Sequence, residues 1–83
     1  MNTYRHVFTA TCPNNGETIN YHLEVRAQHV IMVEEIIDAC ASAGNCWKPY
    51  HENIADFLHA KIGGRQRIVA FHHGVEIETK RGQ

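Results

Sequence analysis

The chain lacks an even set of cysteines, a long apolar run and an excess of charge of either sign. Its three cysteines, Cys12, Cys40 and Cys46, stand at spacings that match no disulfide framework. Free thiols imply a reducing compartment, so the expected location is cytoplasmic. No apolar stretch approaches the roughly 20 residues of a membrane-spanning helix. The start Met1-Asn2-Thr3-Tyr4-Arg5-His6 has no apolar core of a signal peptide. The expectation is no membrane partner. Eight basic and nine acidic residues leave a net charge of −1, which argues against nucleic acid as a partner. No Gly-rich phosphate loop and no Ser/His/Asp order is readable; Gly63-Gly64-Arg65 reads as a helix stop. Linkers and low-complexity tracts are missing too, so residues 1–83 read as one domain.

What is present is short alternation and two helical stripes. Thr3 to Thr11 reads as a strand, with Tyr4, His6, Phe8 and Ala10 on one face. Glu17 to Arg26 alternates most cleanly, with Ile19, Tyr21, Leu23 and Val25 on one side and polar residues on the other. Between them Cys12-Pro13-Asn14-Asn15-Gly16-Glu17 reads as a hairpin tip. Val33, Ile36, Ile37 and Cys40 follow helical spacing, with Gly44 as the stop and Cys40 as a core thiol. Pro49 reads as a first-turn residue of a second helix whose apolar face is Tyr50, Ile54, Phe57, Leu58 and Ile62. Gln66 to His72 and Val75 to Thr79 read as two more strands joined at His73-Gly74, with Lys80 to Gln83 a loose tail. The order ββααββ predicts an α+β domain: a four-stranded antiparallel sheet with both helices on one face. Its open edges invite pairing with further copies, and a homo-oligomer is expected because 83 residues bury only a modest core.

Few residues carry readable chemistry. Cys12 is either a strand-end residue or a nucleophile offered by the turn. His51-Glu52 at a helix start is either dipole compensation or a carboxylate that accepts ring N–H donors of a purine or pterin. Glu34 and Glu35 have the same two readings. Cys40, Cys46 and His51 lack the tight Cys-x2-Cys spacing of zinc sites. Neighbours His72 and His73 are expected on opposite sheet faces, unable to chelate together. No metal site is expected.

Taken together, these residues resemble the tunnelling-fold proteins, which build barrels from several subunits and bind purines or pterins between them. The nearest resemblance is to the nitrile reductases of the queuosine pathway, which act on 7-cyano-7-deazaguanine. It is carried by Cys12-Pro13-Asn14-Asn15-Gly16, Val33 with Glu34 or Glu35, His51-Glu52, and Phe71-His72-His73-Gly74-Val75-Glu76-Ile77. The resemblance implies Cys12 as the nucleophile that attacks the nitrile carbon, with Glu52 and one of Glu34 and Glu35 anchoring the base. Two segments depart from the family. Thr18, Ile19 and Asn20 stand where an aspartate serves as general acid. Ile36-Ile37-Asp38-Ala39-Cys40 replaces the polar segment of the cofactor side, so no cofactor is expected. The expectation is a degenerate relative that binds a purine- or pterin-like small molecule at a subunit interface, with catalysis left open. The alternative is a small non-enzymatic protein-interaction module acting through an open sheet edge or a helix face.

Overall fold

Residues of alternating character form the sheet, and every second one turns to the helices. The computed structural model describes residues 1–11, 16–45 and 50–82. Strands β1 (Asn2–Thr11) and β2 (Thr18–Ala27) are followed by helices α1 (Val33–Gly44) and α2 (His51–Ile62), then β3 (Arg65–His72) and β4 (Val75–Arg81). All neighbours pair antiparallel in the sequential order β1-β2-β3-β4. The expected α+β plan is therefore the observed one. Register aligns Phe8, Tyr21, Ala70 and Ile77 across the four strands, and Leu23, Ile68 and Thr79 across three. These rows face the helices, and most of their members are buried. The opposite face stays open. It carries a ladder of charges in which Glu24 lies 3.2 Å from Arg5 and 3.8 Å from Arg67, and Arg67 lies 2.9 Å from Glu78. Such exposed pairs add little stability each.

Helix α1 is rotated from the expected stripe. Its buried residues are Ile36, Ala39, Cys40 and Ala43, whereas Val33 and Ile37 are exposed. The small alanines bring the helix close to β1. A Cβ on Gly44 would stand 2.5 Å from the Thr9 carbonyl oxygen, so glycine is required by this approach. The start of α1 has no side-chain cap at Met32. Instead the Tyr4 hydroxyl accepts the Ile31 N–H at 3.1 Å and ties the lead-in to β1. Helix α2 begins at His51, and Pro49 lies outside the described residues. Lys80 and Arg81 are not part of a loose tail: they belong to β4, while Gln83 lies outside the described residues. The Arg81 guanidinium donates to Asp56 at 2.7 Å and also to Glu52, fastening the last strand to α2.

Cys40 is a core thiol, as its position on the helix predicts. Burial pushes its pKa from 9.0 up to about 12. The unfolded chain releases this proton at the ordinary value while the folded chain keeps it. The stability that this group contributes is complete below pH 9 and is lost as pH rises through about 12. Denaturant unfolding above pH 9 should therefore show an alkaline loss of up to about 1.4 kcal/mol per pH unit, present in the wild type and missing in Cys40→Ala.

Candidate functional site

One end of the molecule gathers most of the chemistry. The last residues of β3, the His73-Gly74 turn, the start of β2 and the first turn of α2 meet there. Tyr21 anchors the inner wall: its ring stacks on Phe8 at 5.2 Å and meets the His51 ring at 5.1 Å. Glycine and histidine shape the turn. His73 has φ 52° and Gly74 φ 81°, the left-handed pair of a two-residue hairpin that Asn-Gly fills most cheaply. This conformation lifts His73 out of strand alternation and brings its ring to 4.5 Å from that of His72. The expectation that the two histidines cannot act together is thus corrected. Alternation governs residues within a strand, and His73 is in the turn. One ring nitrogen of each and a Glu17 carboxylate oxygen lie within 4.8 Å of one another.

The four described residues expected to bind a ligand do not converge within one chain. His51 is half-buried, and its Nε2 has no hydrogen-bond partner among the described residues; His72 Nε2 shares that state. Burial first, and then nearby His72, hold the His51 imidazole below its ordinary 6.5, with Glu52 opposing. His51 is accordingly neutral at pH 7. Glu52 is 74% exposed and paired with Arg81. Glu35 lies at the other end of the helical layer, lining a groove with Asp38, Phe57 and Lys61. Nine residues separate Glu52 from Lys61 along α2, roughly 14 Å. Glu34, beside Glu35 in the first turn of α1, is exposed. Cys12 lies outside the described residues, as does Cys46. Thr11, just before Cys12, pairs with Thr18, just after Glu17.

Two further surfaces stand out. On the open sheet face, Arg5, Val7, His22, Val69, Phe71 and Glu76 line a depression of about 390 Å³. Val7 and Phe71 there are 53% and 60% exposed. Along the edge of β1, His6, Phe8, Thr9, Ile37 and Gly44 line a groove of about 380 Å³ beneath α1.

Sequence reasoning missed the Glu17–His72–His73 cluster and the role of Arg81. The His73-Gly74 turn was the available signal, because a left-handed residue before glycine leaves the strand's side-chain alternation. No helix among the described residues is long and apolar enough to cross a membrane. No family model matches this chain, and neither a curated protein nor a solved structure matches it.

Proposed function

We propose that the chain is a self-assembling subunit of tunnelling-fold type that joins further copies edge to edge and binds a purine- or pterin-like base where they meet. The supporting observation is the pair of open sheet edges. β1 pairs with β2 over ten consecutive residues, and neither β1 nor β4 has a second strand partner among the described residues. Neither strand contains proline. A proline-free edge of this length exposes a row of backbone donors and acceptors that invites another strand. β1 and β4 run in opposite directions, so β4 of one copy set beside β1 of the next continues the antiparallel alternation. Repetition of that contact closes a ring of sheets into a barrel. The groove between the β1 edge and Ile37 gives the incoming copy an apolar seat.

Assembly also answers the separation of the acids. Glu52 and Glu35 stand at opposite ends of the helical layer, so two carboxylates on one base have to come from different copies. In this reading a base offering paired N–H donors displaces Arg81 from Glu52. Titration with guanine and with a pterin, followed by amide shifts, tests it. The expected result is movement around His51 and Glu52, at least about tenfold weaker binding in Glu52→Gln, and tighter binding in Arg81→Gln. An unmoved Glu52 region with both bases sinks the ligand reading.

A second reading has its own observation. Val30, Met32, Val33 and Ile37 are all exposed along the approach to α1 and its outer side, an apolar set of the kind that docks a different protein. A chain that remains a monomer and ignores both bases would favour this interaction module.

A further inference from the structure

We infer that Glu17, His72 and His73 form a binding site for a divalent transition-metal ion of the zinc class. The inference depends neither on edge pairing nor on a bound base. Three observations carry it. The donor atoms converge: all three lie within 4.8 Å of one another, and His73 Nε2 is 3.8 Å from Glu17 Oε2. Donors held at about 2.0–2.1 Å on a tetrahedral zinc stand roughly 3.3 Å apart. The Glu17–His73 pair has to close by only about 0.5 Å, and no pair by more than about 1.5 Å. Glu17 and His73 are exposed enough to rotate inward.

The second observation is His72 itself. Its Nε2 is buried and lacks a hydrogen-bond partner among the described residues. A buried polar atom left in this state is costly, and such atoms call for an explanation by water, ion or function. The third is the turn. His73 adopts a left-handed conformation that asparagine would fill at lower cost, and the conformation sets its ring against that of His72. Two imidazoles and one carboxylate suit zinc, cobalt or nickel rather than magnesium or calcium, which prefer oxygen donors throughout. Three protein donors leave one position of a tetrahedral ion to water.

The full chain provides the test. Zn²⁺ affinity is measured by competition with a chromophoric chelator, and Co²⁺ serves as a spectroscopic probe. His73→Asn removes a donor while keeping a residue that the turn prefers, and Glu17→Gln removes the carboxylate charge at an exposed position. The expected result is one zinc ion per chain and no comparable Mg²⁺ binding. The Co²⁺ spectrum should lack sulfur-to-metal charge transfer. Each variant should weaken Zn²⁺ binding by at least about tenfold, with circular dichroism and urea midpoints unchanged. Zinc binding undiminished in both variants would overturn the site, as would a Co²⁺ spectrum dominated by thiolate ligation. Failure to bind zinc at all would overturn it equally, while leaving base titration and oligomeric state untouched.

Discussion

Tyr21→Ala should remove about 3–5 kcal/mol of folding stability, the usual cost of deleting a buried aromatic ring. Tyr21 is the largest of the fully buried side chains, at 1% exposure, and its ring lies between Phe8 and His51. A domain of this length holds on the order of 4–12 kcal/mol in total. The variant should therefore lose about a quarter or more of its stability, with a matching fall in the urea midpoint. Tyr21→Phe keeps the ring and should cost far less. The substitution also reaches the functional end of the molecule. Tyr21 forms part of what buries His51, and burial is the first cause of that histidine's lowered pKa. In the alanine variant the His51 titration, followed by NMR, should move back toward 6.5. An unchanged titration would mean that Tyr21 does not shield it.

Gln66→Ala should cost about 2–4 kcal/mol through a different route. The Gln66 side chain is buried at 2% exposure, and its amide nitrogen donates to the Leu58 carbonyl at 3.1 Å and to the Gly63 carbonyl at 2.7 Å. The Gly63 carbonyl belongs to the cap just past the C-terminal end of α2, where backbone acceptors have no helical donor, and the Leu58 carbonyl takes the amide as a further donor near that end. Removing the amide takes this donor from both and leaves a void in the buried site. Gln66→Met keeps the volume and removes the whole amide, both its donors and an Oε1 that is buried without a partner among the described residues, so the difference between the two variants isolates packing from the net effect of the amide. A loss under about 1 kcal/mol in both, read from denaturant unfolding, would show that water replaces the amide.

The framework of this fold was legible because period-2 alternation is strong in β2 and glycine marks the ends of both helices. Ile19, Tyr21, Leu23 and Val25 are all buried, as their spacing requires. Helix α1 was harder. Val33 and Ile37 are as apolar as the residues that are buried, and only the rotation of the helix on the sheet chooses between two overlapping stripes. Gln66 was hidden because it is polar by composition and buried only through the carbonyls that α2 offers it. Arg81 looked like part of a tail, since nothing local reveals that Asp56 and Glu52 lie across from it. The candidate site was half legible for the same reason. His51-Glu52 could be placed at a helix start from order alone. The meeting of Glu17 with His72 and His73 depends on the His73-Gly74 turn and on the strand pairing that brings distant segments to one end of the sheet. The separation of Glu52 from Glu34 and Glu35 is likewise a property of how the two helices lie against each other.

Assembly through the sheet edges is the premise on which the proposed ligand site depends, and the solution mass tests it most directly. Light scattering coupled to size exclusion, run over a hundredfold range of concentration, should return a whole multiple, two or more, of the 9.5 kDa chain mass, a value that holds on dilution. A mass of one chain at every concentration would contradict edge-to-edge assembly and remove the interface at which the base is proposed to bind.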